Sequence, residues 1–181
     1  MRRAVFLDRD GTLTAETGKY ITHPDALQIL PGVLPALRLL TEAGFRLFLF
    51  TNQAGVGKGH LTLEMLTAIH AHLQTQIEAA GGHLEAIYFC PHHPNVGCEC
   101  RKPKSGLLLQ AAQERDVDLS TSIVIGDSIR DIVAGHSVGA MTLLVQTGHT
   151  TAFDPHDFPP PHPDQIFPSL LEASEWLISQ S

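Results

Sequence analysis

Near its start, the chain reads Val5-Phe6-Leu7-Asp8-Arg9-Asp10-Gly11-Thr12, a short apolar run that ends in two carboxylates spaced one residue apart. The apolar run predicts a strand covered on both faces of a sheet. Side chains two residues apart in a strand point to the same side, so Asp8 and Asp10 should lie together where the strand ends. At about 4 Å and an effective dielectric near 20, two carboxylates repel by roughly 4 kcal/mol. The pair therefore indicates a cation or a shared proton, and with it a chemical site.

Composition limits the class of protein. With 181 residues, 43% hydrophobic and 17% charged, we expect one domain over 1–181, with a core at 1–150 and a proline-rich segment and terminal helix at 151–181. A net charge of −7 argues against nucleic acid or an anionic membrane as a partner. No apolar run approaches a membrane span, and the first three residues lead straight into a strand, so we expect a cytoplasmic protein. A monomer is one oligomeric state that the sequence leaves open.

Strand and helix patterns alternate along the chain. Apolar runs predict strands at 4–7, 46–50, 86–89, 123–125 and 141–145, and helical patterns occupy 32–43, the segment capped by Thr62, the segment capped by Ser105, 129–137 and 168–178. This alternation predicts an α/β fold with a doubly wound parallel sheet and right-handed crossovers. Residues 9–31 show no helical or strand periodicity of apolar residues, and we expect them to form a flap over the carboxylates.

Polar residues follow the ends of four predicted strands. In doubly wound sheets, ligands bind outside the carboxyl ends of the strands. The residues expected to converge there are Asp8 and Asp10, Thr51 and Asn52, the basic cluster Arg101, Lys102 and Lys104, and Asp127. Gly55 to Gly59 lacks the spacing of either common nucleotide-binding loop and is interpreted as a flexible turn.

These residues carry a resemblance to a known family. Asp8-Arg9-Asp10-Gly11-Thr12 resembles the nucleophile motif of haloacid-dehalogenase-type phosphatases, and Thr51, Lys102 and Gly126-Asp127-Ser128-Ile129-Arg130-Asp131 resemble its other three signatures. Thr51-Asn52-Gln53, Cys90-Pro91-His92 and Cys98-Glu99-Cys100-Arg101-Lys102-Pro103 resemble the zinc-containing branch, which holds heptose bisphosphate and histidinol-phosphate phosphatases. The resemblance implies a Rossmann-like core with a minimal cap, and a cytoplasmic, magnesium-dependent phosphomonoesterase.

The chemistry of the side chains suits these roles. A carboxylate nucleophile splits hydrolysis into two steps, so Asp8 is the expected nucleophile and Asp10 the acid/base. Asp8, the backbone carbonyl of Asp10 and Asp127 are oxygen ligands suited to Mg²⁺. Lys102 is expected to neutralise the phosphoryl group, and Thr51 to donate to its oxygens, with Asn52 and Arg101 as further substrate contacts. Asp131 is expected to orient this shell, the alternative being a helix-start acid that complements the dipole.

All three cysteines lie in one loop. Cys90-x-His92-x5-Cys98-x-Cys100 offers three thiolates and an imidazole, the donor set of a structural Zn²⁺ site. The adjacent His93 is an alternative ligand, and the family resemblance favours His92. Four protein ligands would close the metal shell, so this ion is expected to fold the loop and take no part in hydrolysis.

Two classes of function stay open at this stage, a sugar-phosphate phosphatase and a non-catalytic phosphate-binding module on the same fold. Retention of Asp10 favours the enzyme, since a binding module needs no acid/base. For the substrate, the resemblance favours hydrolysis of the 7-phosphate of D-glycero-D-manno-heptose 1,7-bisphosphate, with histidinol phosphate as the alternative. Arg101, with Lys104 behind it, is expected to hold the second phosphate. The other histidines, His149 among them, are expected to be solvated or in the core.

Overall fold

The computed structural model describes residues 3–157 and 159–180. Met1, Arg2, Phe158 and Ser181 lie outside the described residues, and so do the expectations that concern the first two residues and the last. Within the described part of the chain, no helix is both long and apolar enough to cross a membrane.

In the part of the chain that the structure describes, a sheet of six parallel strands forms the centre of the fold. Its strands are β1 (Ala4–Leu7), β2 (Arg46–Asn52), β3 (Leu84–Cys90), β4 (Ile123–Gly126), β5 (Met141–Val145) and β6 (Gln165–Phe167). They lie in the order β3-β2-β1-β4-β5-β6, and every pair is parallel. This order reverses direction at β1, because β2 and β3 extend to one side and β4 to β6 to the other. The predicted doubly wound parallel sheet is confirmed.

The apolar run at residues 4–7 forms the central strand. Val5 pairs with Leu47 on β2 and with Ile123 on β4, and all four residues of β1 are buried. Alternate side chains enter two separate cores: Val5 packs among aliphatic side chains on one face, whereas the Phe6 ring stacks on Phe48 on the other. A strand covered on both faces explains why its sequence is uninterrupted in apolar residues.

Within the described residues, six α-helices flank the sheet. They are α1 (Val33–Glu42), α2 (Ala54–Gly57), α3 (Leu63–Ala79), α4 (Gly106–Arg115), α5 (Ile129–His136) and α6 (Leu170–Ser179). The Thr62 side chain caps α3 by accepting from the backbone N–H of Met65, as its position predicts. Ser105 precedes α4 as expected, but its side chain makes no capping hydrogen bond there.

Two parts of the fold differ from the sequence prediction. Residues 54–57, interpreted as part of a flexible turn, form the short helix α2. The strand β6 was not predicted, although its backbone pairs with β5 from Leu143↔Gln165 to Val145↔Phe167. Its three residues lie between Pro163 and Pro168, and so short a run shows no periodicity.

Candidate active site

A pocket of about 350 Å³ opens at the carboxyl ends of β1, β2 and β4. Seven of the residues expected at the site line it, namely Asp8, Asp10, Thr51, Asn52, Arg101, Lys102 and Asp131. The predicted flap contributes Glu16, Lys19 and Tyr20 to the wall. Asp127, the remaining predicted ligand, is completely buried and lies against the glycine that follows Asp10. The structure therefore brings these predicted side chains together at one edge of the sheet.

Lys102 joins two carboxylates from different elements, one after β1 and one in α5. Its ammonium lies 2.9 Å from Asp8 Oδ1 and 2.6 Å from Asp131 Oδ1. Nζ also donates to the carbonyl oxygen of Phe50 at 3.0 Å and stands 4.2 Å above the Phe50 ring. Only 3% of the lysine is exposed, so a buried positive charge lies beside the expected nucleophile.

Burial and neighbouring charges together set the pKa values of Asp8 and Lys102. Burial raises the pKa of Asp8 to about 6, despite the ammonium of Lys102 beside it. Burial alone would lower the pKa of Lys102, but Asp131 and Asp8 outweigh it, and the pKa is raised. The lysine is therefore charged at neutral pH, and its one ammonium faces two carboxyl groups.

Asp10 has partners of its own. Oδ1 accepts from Arg9 Nε at 2.9 Å, and Oδ2 accepts from Arg9 Nη2 at 2.9 Å and from Gln53 Nε2 at 2.8 Å. Burial would raise the pKa of Asp10, but Arg9, with Gln53 and Thr14, outweighs it and lowers the pKa. Asp10 raises the pKa of Asp8, as the predicted repulsion between the two carboxylates implies, and Asp131 raises it more.

Asp127 completes a cluster of three carboxylates. One ligand oxygen from each of Asp8, Asp127 and Asp131 lies within 4.8 Å of the others. Burial, and then Asp8, raises the pKa of Asp127 although His149 opposes the shift. Oδ2 of Asp127 accepts from the backbone N–H of His149 at 2.6 Å, and the imidazole Nδ1 lies 2.9 Å away. Three clustered acids, two of them buried, against one lysine fit a divalent cation with oxygen ligands.

Asp131 lies both at a helix start and beside the site. Its Oδ2 accepts from the backbone N–H of Ser128 at 3.1 Å, and the Ser128 hydroxyl caps the same helix in return, so the pair forms a capping box at the start of α5. Its other oxygen faces Lys102. The helix start therefore fixes one carboxylate oxygen while the second points at the site.

Thr51 and Asn52 end β2 with different partners. The Thr51 hydroxyl accepts from Gln53 Nε2 at 2.9 Å, which leaves its own proton free to donate into the pocket. The Asn52 amide is committed to the backbone of Lys102: Nδ2 donates to its carbonyl at 3.2 Å, and Oδ1 accepts from its N–H at 3.0 Å.

The cysteine loop forms a compact set of donors. Neighbouring ligand atoms of Cys90, His92, Cys98 and Cys100 are 3.2 to 3.6 Å apart, and all four lie within 4.8 Å. A tetrahedral ion with bonds of about 2.3 Å to sulfur places its ligands about 3.8 Å apart. The donor set therefore fits Zn²⁺. His93 lies outside the cluster, and its Nδ1 accepts from the backbone N–H of Asn95.

The loop packs closely on α2. A Cβ at Gly57 would stand 2.1 Å from the backbone nitrogen of His93, so only glycine permits this approach.

The basic residues after the cysteine loop lie in different places. Arg101 lines the pocket, and its buried Nη1 has no hydrogen-bond partner among the described residues. Lys104 does not line the pocket, contrary to expectation, because its ammonium bonds to Glu99 Oε1 at 2.7 Å and to the Gly97 carbonyl at 2.9 Å.

Sequence reasoning missed four residues at the site: Arg9, Gln53, His70 and His149. Arg9 was passed over within the motif, although it is 1% exposed and paired with Asp10. Burial and the guanidinium of Arg9 lower the pKa of His70 to about 3. His149 follows β5, whose carboxyl end was left out of the strand-end argument. Extending that argument to every strand would have found it.

Comparisons with known proteins agree with this geometry. Residues 99–173 match the family model described as HAD-hydrolase-like. The chain is 41% identical over 153 residues to D-glycero-beta-D-manno-heptose-1,7-bisphosphate 7-phosphatase of Yersinia pestis, which covers 80% of this chain and 81% of the relative. It is 32% identical over 180 residues to the protein of the same name from Neisseria meningitidis serogroup A, which covers 99% and 96%.

A solved structure gives the same result. The D,D-heptose 1,7-bisphosphate phosphatase of B. bronchiseptica, crystallised with magnesium and phosphate, superposes with a TM-score of 0.93 at 34% identity and covers 99% of each chain. The resemblance that the four motifs suggested is thereby confirmed. This chain belongs to the heptose-1,7-bisphosphate 7-phosphatase family of HAD-like hydrolases.

Proposed function

We propose that this protein hydrolyses the 7-phosphate of D-glycero-D-manno-heptose 1,7-bisphosphate. The observation that carries the proposal is the buried ammonium of Lys102, 2.9 Å from Asp8, inside a pocket that also exposes Asp10 and Thr51. A nucleophile, an acid/base and a cation for phosphate oxygens thus face one cavity. The names of the relatives support the choice of substrate.

The side chains perform a two-step displacement. An oxygen of Asp8 attacks phosphorus, the bond from phosphorus to the sugar oxygen breaks, and Asp10, which must be protonated for this step, gives that oxygen its proton. A water then attacks the phosphorus of the aspartyl phosphate, Asp10 takes the water's proton, and Asp8 is released with inorganic phosphate. Lys102 and the Thr51 hydroxyl hold phosphoryl oxygens through both steps.

Two metals fit the residues present. Asp8, Asp127 and the backbone carbonyl of Asp10 would hold Mg²⁺, with Asp131 fixed beside them, and the ion would neutralise charge on the phosphoryl oxygens. The excess of buried carboxylates over cations supports this assignment, and the neighbour crystallised with magnesium agrees. Cys90, His92, Cys98 and Cys100 would hold Zn²⁺, which would stabilise the loop that carries Arg101 and Lys102.

Arg101 supports a bisphosphate over a monophosphate. Arg101 lines the same pocket as Lys102, and its buried Nη1 is without a hydrogen-bond partner among the described residues. An unpaired buried donor is costly, so an anion supplied by the substrate would satisfy it. Histidinol phosphate carries a single phosphate, which Lys102 would bind. The guanidinium of Arg101 would then have no anion to accept its hydrogen bonds.

We also propose that residues 1–181 form one phosphatase domain in the cytoplasm. The cysteine sulfurs are 3.5 Å apart, too far for a disulfide, and a zinc site of thiolates suits a reducing compartment.

The experiment is a panel of phosphate esters assayed with magnesium. We expect kcat/KM for the heptose bisphosphate to exceed that for histidinol phosphate, and the product to keep its 1-phosphate, as phosphorus NMR would show. A higher kcat/KM for histidinol phosphate would replace the substrate assignment. Binding of phosphate esters with no hydrolysis of any would favour the non-catalytic alternative.

A further inference from the structure

The carboxylate of Asp10 has most of its acceptor positions filled. Arg9 supplies two hydrogen bonds of 2.9 Å, one to each oxygen, and Gln53 Nε2 donates at 2.8 Å. Thr14 Oγ1 lies 3.2 Å from Asp10 Oδ1 and also 3.2 Å from the Arg9 carbonyl, so its one proton can serve either acceptor. An ionised carboxylate offers about four acceptor sites, so a leaving oxygen or a water exchanges its proton at the position that Thr14 or Gln53 yields. The neutral Thr14 and Gln53 bind less strongly than the charged fork of Arg9, so the fork is the contact that persists.

Arg9 is itself held from behind. Its Nη2 donates to Gln53 Oε1 at 2.8 Å, and its Nη1 lies 3.2 Å from Nε2 of His70 on α3. Since arginine only donates, Nε2 of His70 must carry a lone pair, and the imidazole is neutral with its proton on Nδ1. Both His70 and Arg9 are buried, at 5% and 1% exposure. The guanidinium is therefore fixed in position and plane.

We infer that Arg9 is a positioning residue that acts through Asp10. Its fork fixes the plane of the acid/base carboxylate, and His70 with Gln53 fixes the fork. The inference rests on the proposed function, which makes Asp10 the acid/base. The guanidinium of Arg9 forms an ion pair with Asp10, whereas the ammonium of Lys102 contacts Asp8 and Asp131. Loss of Arg9 should therefore damage proton transfer more than phosphate binding.

The leaving group separates these two effects. An alkoxide must be protonated as its bond to phosphorus breaks, whereas nitrophenolate leaves as a stable anion. The parameter kcat/KM reports steps up to the first irreversible one, here release of the alcohol, and so excludes hydrolysis of the aspartyl phosphate. The ratio of kcat/KM for a sugar phosphate to kcat/KM for p-nitrophenyl phosphate therefore measures how much protonation of the leaving oxygen contributes to catalysis. Changes in the contacts to the phosphate affect both esters and cancel in this ratio.

The test measures this ratio for wild type, Asp10→Asn and Arg9→Met. Methionine keeps much of the length of arginine but donates no hydrogen bond. We expect both variants to lower the ratio, Asp10→Asn by 100-fold or more and Arg9→Met by roughly 10- to 100-fold. Arg9→Met in the Asp10→Asn background should lower it no further, since residues that act as one unit are not additive.

A histidine pair tests the same inference if Arg9→Met does not fold. His70→Phe removes the acceptor behind Arg9, whereas His72→Phe, on the same helix, removes an imidazole that contacts Gln76 instead. We expect His70→Phe to lower the ratio roughly threefold to tenfold and His72→Phe to leave it unchanged. Equal ratios in the two variants would overturn the inference.

The outcomes separate the inference from the proposed function. If wild type hydrolyses neither ester, or Asp10→Asn loses both equally, the assigned function or the assigned acid is wrong. If Asp10→Asn lowers the ratio while a folded Arg9→Met keeps it, Arg9 only fills space beside Asp10, and the inference alone fails.

Discussion

The side-chain amide of Asn52 binds both backbone groups of Lys102, by hydrogen bonds of 3.2 Å to its carbonyl and 3.0 Å from its N–H. The end of β2 is thereby tied to the loop after the cysteine cluster, fifty residues further along the chain. The backbone that carries the buried ammonium is thus fixed by one amide. Asn52, which we expected to contact the substrate, would act on the phosphate through this lysine.

Asn52→Ala should therefore weaken catalysis without direct loss of a phosphate contact. Two buried hydrogen bonds disappear, and the Lys102 backbone is released from β2. We expect kcat/KM for the sugar phosphate to fall roughly 10- to 100-fold. Asn95→Ala, an exposed asparagine on the cysteine loop, is the matched control. Equal activity of the two variants would show that the Asn52 amide contributes nothing to the site.

Asp8→Asn should abolish turnover and leave the fold intact. An amide cannot form the acyl phosphate, and Lys102 keeps its contact to Asp131. We expect kcat to fall by roughly 10³ to 10⁴ or more, with a circular dichroism spectrum like that of wild type. Asp25→Asn, at an exposed acid, should retain full activity. Substantial turnover by purified Asp8→Asn would exclude the aspartyl-phosphate mechanism.

Zinc should be found in the purified protein without added metal. Elemental analysis is expected to give close to one zinc per chain, and a strong chelator should lower the melting temperature as the loop loses its ion. His92→Ala should reduce the bound zinc, whereas His93→Ala should not, because His93 lies outside the cluster. Loss of zinc in His93→Ala alone would reassign the fourth ligand.

Arg101→Ala should discriminate between substrates. Loss of one charge-assisted contact is worth about 1.5 to 3 kcal/mol, so kcat/KM for the heptose bisphosphate should fall roughly 10- to 100-fold, and for a sugar monophosphate by less. Lys104→Ala is the control, since the Lys104 ammonium already forms an ion pair with Glu99. Equal losses with both substrates would remove the argument for a second phosphate at Arg101.

His70 should make the protein sensitive to acid. Its pKa is about 3 in the folded state against an ordinary value of 6.5, so between these values the unfolded chain binds more protons. The free energy of unfolding therefore falls as pH drops from 6.5 towards 3, with a contribution on the order of 2 to 3 kcal/mol between pH 7 and 4.5.

Denaturant unfolding of three proteins isolates this contribution. Asp8, whose pKa is raised to about 6, changes the free energy of unfolding with the opposite sign, and it does so in all three proteins. The comparison is therefore between the slopes of the free energy of unfolding against pH. His70→Phe should lose less stability on acidification than wild type does, and His72→Phe should match wild type. Identical slopes in all three would place the acid sensitivity elsewhere.

The sequence predicted the parts of the fold in which one local signal suffices. Continuous apolar runs give the five longer strands, and the strand-end argument places Asp8, Thr51, Lys102 and Asp127 at one edge. The sequence alone could not predict that the Asn52 amide binds the Lys102 backbone, because that contact depends on how two distant segments pack. Arg9 was overlooked because charged residues are seldom fully buried. His70 adjoins the apolar stripe of α3 at Ile69, a position that could have indicated burial.

The short strand β6 has a consequence for association between molecules. An outer strand presents unpaired backbone groups on which another chain can add a strand of its own. Here Pro163 and Pro168 bracket a strand of only three residues, and proline has no N–H to offer a neighbour. Although the Ile166 side chain is 39% exposed, an edge this short with a proline on either side disfavours the pairing of a second chain along it.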